Sequence, residues 1–141
     1  MKPRLGWWRS LRTVAYKADA AFEPGQLWVY KTRPGEKDSR LVICRIETDE
    51  KLGQIIHIQL VKVKVKNKNA PGGVSQVINH LPYSGEALRA SVVRLQTILP
   101  QLPPYEEGYQ TWRAAFVEGK AGVWTIPVAE AIEGMEKGLN N

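Results

Sequence analysis

"LVKVKVKNKN", Leu60 to Asn69, interleaves Val61, Val63 and Val65 with Lys62, Lys64 and Lys66, and Lys68 carries the basic spacing one step further. Alternate residues of a strand stand ~6.6 Å apart on one face, close to the repeat of phosphates along a nucleic-acid strand. The chemistry such a row offers is the docking of a polyanion. Lys31, Arg33 and Arg40 precede it and extend the candidate anion-binding set to Lys31, Arg33, Arg40, Lys62, Lys64, Lys66 and Lys68. The leading reading of the row is protective, because lysines on an exposed strand stop edge-to-edge pairing, and docking comes second. Catalytic side chains are scarcer. Cys44 is the single cysteine, and His57 and His80 are the only imidazoles.

A strand register placing Cys44 opposite His57 would allow a thiol–imidazole pair. The register one step away gathers Val42, Cys44 and Ile46 with Ile56, Ile58 and Leu60 on one apolar face. That register explains more residues and makes Cys44 a small core side chain. His80, Tyr83 and Ser84 stand at a helix start, where a capping turn or a small-anion site would fit. Glu106 and Glu107 suit the first turn of a helix through its dipole. The sequence carries no phosphate-binding glycine loop, metal-ligand cluster or nucleophile motif. The reading has no catalytic residue, no metal and no cofactor.

The chain of 141 residues has a net charge of +6. Residues 1–70 hold fifteen Lys and Arg against seven Asp and Glu, whereas residues 71–141 hold five against seven. That polarity favours an anionic macromolecular partner, nucleic acid or an acidic protein surface. A lone cysteine suits a reducing, cytoplasmic setting. No apolar run reaches membrane-spanning length. Residues 1–22 read as a basic amphipathic segment: Leu5, Trp8, Leu11, Val14 and Ala15 share a helical face, and residues 1–17 offer a membrane-surface contact. Arg9, Ser10 and Arg12 break the apolar stretch that a secretory signal needs.

Residues 23–141 read as one α+β domain. Strands are expected over 26–32, 40–47, 54–66 and 75–81, with turns at "RPGE" and "TDEKLG". The third changes phase: Ile56, Ile58 and Leu60 are apolar at even positions, Val61, Val63 and Val65 at odd ones. A regular strand cannot do that without exposing its core face, so a bulge or bend is expected near Leu60–Val61. Leu88, Val92, Leu95 and Leu99 follow helical spacing behind a Ser84 cap. Tyr105, Tyr109, Trp112 and Phe116 do so up to Gly119, and Val128, Ile132, Met135 and Leu139 do so after Pro127. "GVWTI" reads as a short strand. The expected architecture is a mainly antiparallel twisted sheet, or a small SH3-like partial barrel, with three C-terminal-half helices on one face and a basic N-terminal helix.

The run "PGQLWVYKTRPGEKDSRLVICRI", Pro24 to Ile46, resembles the first hairpin of MazF-type toxin ribonucleases, SH3-like barrels that cut single-stranded RNA. Gly25, Trp28, Gly35 and Glu36 match its pattern. The family's longer loop and the Arg-Pro entering its second strand are absent, and the helical half exceeds what that family carries. The resemblance implies Arg33 or Arg40 at the scissile phosphate. Three functions therefore stand: a basic non-enzymatic binding protein for an anionic partner, an immunity or antitoxin-type protein that binds a cognate toxin, and a MazF-like endoribonuclease.

Overall fold

The computed structural model describes residues 20–141, and the expected N-terminal helix lies outside them. Strands β1 (Gln26–Tyr30), β2 (Arg40–Asp49), β3 (Gly53–Lys66), β4 (Val74–Ser84) and β5 (Val92–Ile98) form one antiparallel sheet in the order β4-β3-β2-β1-β5. Helix α1 (Gly85–Ser91) joins β4 to β5, and α2 (Glu106–Val117) and α3 (Val128–Asn140) follow. The class is α+β. Ser84 caps α1 as its spacing suggested, its hydroxyl accepting from the Ala87 N–H at 3.1 Å. Gly119, at φ +75°, ends α2 in a conformation that favours glycine.

Two expected elements differ. The helix read through Val92, Leu95 and Leu99 stops at Ser91, and β5 runs beside β1 instead, with Trp28 opposite Leu95 and Tyr30 opposite Val92. The β-branched residues Val92, Val93, Thr97 and Ile98 suit a strand, and β1 needs a partner on the side away from β2. "GVWTI" contributes only a single bridge, Trp124 beside Tyr83.

The helices also divide between the two faces of the sheet, where one face was expected. Trp28, Leu41, Ile43, Ile56, Ile58, Leu60, Val63 and Val65 form the main core with α1 and α3. Ile55 lies on the opposite face, with Tyr109 and Trp112 of α2. Burying β3 on both sides explains why it is a continuous buried run at residues 55–60 rather than an alternation.

Besides two register shifts between β1 and β5, three irregularities break the two-residue period. In β2, Ile43 pairs with Ile58 and Arg45 with His57, leaving Cys44 as the extra residue. The core residues of β2 are therefore Leu41, Ile43 and Ile46, which corrects the expected set of Val42, Cys44 and Ile46. In β4, Ile78 pairs with Leu60 and Leu81 with Ile58, so Asn79 and His80 together oppose Gln59. In β3 the expected phase change appears: Ile58 and Val63 are both buried while Lys62 and Lys64 are exposed. Its centre is Lys62, whose φ of +58° is rare for a residue with a side chain, and the β4 pairing jumps from Val61 to Val65 around it.

Side chains replace the ladder that this bulge loses. The Ser39 hydroxyl donates to Val61 O at 2.8 Å and the Lys64 N–H donates to a Glu36 carboxylate oxygen at 2.6 Å. Farther on, the Lys66 N–H donates to Glu136 at 2.7 Å, and Asn140 of α3 donates to Lys66 O at 2.8 Å. Glu36 is 3% exposed, and Arg33 grips it with a two-bond fork of 2.8 and 2.9 Å. Burial alone would raise the Glu36 carboxyl, but the Arg33 fork and the Lys64 N–H outweigh it and hold the pKa below the usual range. Glu36→Gln removes the buried partner of the Arg33 fork while Glu133 and Glu136 still pair with Arg33, and ~1–3 kcal/mol of stability should be lost, read as a lower urea midpoint at pH 7. Because the carboxyl is depressed, its contribution is full above the ordinary carboxylate pKa and fades as acid protonates the folded state.

Candidate functional site

Two regions of the sheet carry chemistry. The first is the lysine row. Lys62, Lys64, Lys66 and Lys68 are exposed, and the first three make no ion pair among the described residues. The Lys68 ammonium donates to Asn141 O at 3.3 Å. The row is not evenly spaced: Lys62 sits in the bulge and Lys68 lies past the strand end, so only Lys64 and Lys66 keep regular strand spacing. Lys31 is exposed at the end of β1, its ammonium donating to Ala90 O at 3.0 Å. The Arg40 Nε donates to Gln96 and its Nη1 to the carbonyls of Lys37 and Ser39, which leaves Nη2 free among the described residues.

Arg33 differs from the rest of the set. Its Nε and Nη2 hold Glu36, its Nη1 holds Glu133 and Glu136 at 3.0 and 3.1 Å, and Nη2 also reaches Lys64 O at 3.3 Å. All five guanidinium N–H groups have acceptors, so Arg33 has none left for a phosphate. It is a clasp between the β1–β2 loop, β3 and α3.

The second region lies under α2, and sequence reasoning missed it. The bulge at Cys44 turns Arg45 and Glu47 toward α2, the face that His57 also occupies. The bulge at Asn79–His80 brings His80 beside His57, with the two rings nearly parallel and Nε2 of His80 2.8 Å from Nδ1 of His57. On its other side, His57 Nε2 lies 3.2 Å from Glu47 Oε2. Glu47 also accepts from the Tyr109 hydroxyl at 2.7 Å and from Arg113 at 3.3 Å, while the Arg45 guanidinium stacks 4.3 Å over the Tyr109 ring. His57 is fully buried, with Tyr109 and Trp112 packed edge-on against its ring. Burial lowers the His57 pKa despite the opposing pull of Glu47. Burial, and then the neighbouring His57, bring His80 down to about 4.

The helix reaches this pair because residue 108 is glycine: a Cβ there would stand 2.8 Å from the His80 Cβ. The signal for the site was present only as residue types. Glu47, His57, His80 and Tyr109 share no motif and come together through two bulges.

Cys44 is not paired with His57. It is buried, its thiol pushed up to about 12 by burial and then by the charge of Glu106, and its Sγ faces only Val42 O at 3.7 Å. Tyr83 is likewise removed from the expected anion site, being buried in the main core, while Ser84 serves α1. Among the described residues there is no cluster of three or more metal-ligating side chains, and no helix is long and apolar enough to cross a membrane. No family model, curated protein or solved structure matches the chain.

Three outcomes are expected from this geometry. A thiol reagent at neutral pH should label Cys44 only on unfolding, and fast labelling of the native protein would contradict its burial. Gly108→Ala should cost ~1–3 kcal/mol by overpacking, since neither the His80 Cβ nor the helix backbone can yield freely; an unchanged melting temperature would contradict the close approach. The third concerns acid. Both histidines are held neutral in the folded state, so the unfolded chain binds more protons below its ordinary pKa near 6.5. Stability should fall as pH drops below about 6.5, by up to ~1.4 kcal/mol per pH unit for each histidine while it stays neutral, His80 doing so down to about 4, and urea midpoints at pH 7 and 5 would measure it.

Proposed function

We propose that this chain is a small, basic, non-enzymatic binding protein whose lysine strip docks a nucleic-acid backbone. One observation carries the reading. Lys62, Lys64 and Lys66 stand on β3, an interior strand of the sheet, whose outer stretch pairs with β4 at Val61, Val65 and Lys66 on one side and is met by Glu36 and α3 on the other. No free edge remains there for the lysines to guard, so the protective reading loses its premise. What remains is a set of ammonium groups outside any ion pair among the described residues, on a backbone tied at Val61, Lys64 and Lys66, which suits the meeting of phosphates with little ordering. Lys62, Lys64, Lys66 and Lys68 form the strip, with Lys31 and Arg40 as its flanks.

Contacts of this kind give affinity without base specificity. The lone buried cysteine suits a cytoplasmic protein of this sort. A second reading rests on the Pro24–Ile46 hairpin. Its likeness to MazF-type ribonucleases, with β5 returning to β1 after α1, favours a partial SH3-like barrel and an RNA-cleaving relative. The engagement of Arg33 weighs against it and leaves Arg40 as the phosphate contact. An immunity or antitoxin-type role would use the same strip on an acidic protein.

Fluorescence anisotropy with a random single-stranded oligonucleotide, titrated from about 50 to about 300 mM salt, separates these readings. The docking strip predicts binding that weakens steeply with salt. Lys62→Glu, Lys64→Glu and Lys66→Glu combined should abolish it and flatten the slope by about 0.7 per lysine. Fragmented oligonucleotide would instead support the ribonuclease. No binding at the lowest salt would overturn the nucleic-acid reading in favour of a protein partner.

A further inference from the structure

The Glu47–His57–His80 chain has a direction, and it follows from hydrogen-bond chemistry alone. A carboxylate only accepts, so the His57 nitrogen facing Glu47, Nε2, carries the proton. Neutral His57 then presents a bare Nδ1, and the His80 nitrogen that meets it, Nε2, carries a proton in turn. Neutral His80 is left with a bare Nδ1. That atom has no hydrogen-bond partner among the described residues and is not sealed from solvent. A half-buried carboxylate, through a fully buried imidazole, thus fixes the tautomer of a second imidazole at the protein surface. Orienting a base through a carboxylate and an intervening hydrogen bond is the logic of a catalytic relay.

His80 lines a cleft of about 760 Å³ between β4 and the first turn of α2. Its other walls include Asn79, Tyr105, Glu106, Glu107 and Trp112, and no Lys or Arg among the described residues lines it. Glu106 and Glu107 are exposed and outside any ion pair among the described residues. Two carboxylates, a bare imidazole nitrogen and two aromatic rings repel an anion and suit a cation or a hydroxyl donor. The cleft is therefore chemically opposite to the lysine strip, and its chemistry is independent of the nucleic-acid reading.

The geometry points to a hydrogen-bonded wire, Glu47–His57–His80, whose outer end, His80 Nδ1, accepts a hydrogen bond from a small ligand bearing an ammonium or hydroxyl group held in this cleft. Arg45, Arg113 and Tyr109 surround the Glu47 end, while Glu106 and Glu107 flank the cleft end.

Nitrogen-15 long-range correlation spectra of the full chain at pH 7 test the wire. Both histidines should show protonated Nε2 and bare Nδ1. In Glu47→Gln the side-chain amide can donate to His57 Nε2, and the chain should reverse so that His80 Nδ1 gains the proton. Tyr109→Phe keeps the carboxylate and should keep the wild-type tautomers. Benzylammonium chloride serves as the ligand probe, with sodium benzoate as its opposite-charge counterpart. Benzylammonium should shift the Gly108 and Thr111 amides and His80 Nδ1, and benzoate should not. A protonated or mixed His80 Nδ1 in the wild type would overturn the wire even if Glu47→Gln fails to fold, as would an unreversed tautomer in a folded Glu47→Gln. No response to benzylammonium, or an equal response to benzoate, would overturn the ligand class.

Discussion

The Arg33–Glu36 pair stands where β3 runs on past the start of β2. Arg40 is the first residue of β2 and pairs with Val61, so residues 62–66 of β3 have no backbone partner on that side. A carboxylate with almost no solvent around it takes over the task. Glu36 receives the Lys64 N–H, Arg33 bonds the Lys64 carbonyl, and the same guanidinium reaches Glu133 and Glu136 of α3. An unpaired backbone group in this position would be costly, and so would either charge alone. Together they satisfy one another and tie the β1–β2 loop, the β3 bulge and the last helix into one unit.

From that clasp the lysine strip follows. The left-handed Lys62 lets β3 change phase, which keeps Val63 and Val65 in the main core and turns the lysines out. Tyr30 extends the support inward: its hydroxyl lies 2.7 Å from Ser39 Oγ, and Ser39 spends its own proton on Val61 O, so Tyr30 is the donor. The exposed ammonium groups are thus carried on a backbone held at Val61, Lys64 and Lys66. For the proposed docking of phosphates, such a held backbone would lose little conformational entropy on binding.

The same device, an extra residue in a strand, builds the histidine site on the face under α2. A bulge changes which face every later side chain of its strand occupies. Without the one at Cys44, Arg45 and Glu47 would point into the main core, where a carboxylate has no place. Without the one at Asn79–His80, His80 would not lie beside His57. Helix α2 then closes over the pair with Gly108, Tyr109 and Trp112, each supplying something different: room, a hydrogen bond to Glu47, and an apolar wall.

The sequence alone determined the elements whose signals are local. Four strands, their turns, the Ser84 cap and the ends of α2 and α3 can be read from period, glycine and proline, because those preferences act over a few residues. The phase change in "LVKVKVK" also announced its bulge, since apolar parity is visible in the letters. The spacing of Leu88, Val92, Leu95 and Leu99 misled, because four apolar residues fit a helix or a strand and only the vacant side of β1 decided. Tertiary structure alone placed α2 on the second face, engaged Arg33 with Glu36, Glu133 and Glu136, and aligned Glu47, His57 and His80. Those outcomes rest on register and on partners dozens of residues away, where a one-residue shift exchanges inside for outside and no local preference records which shift was taken.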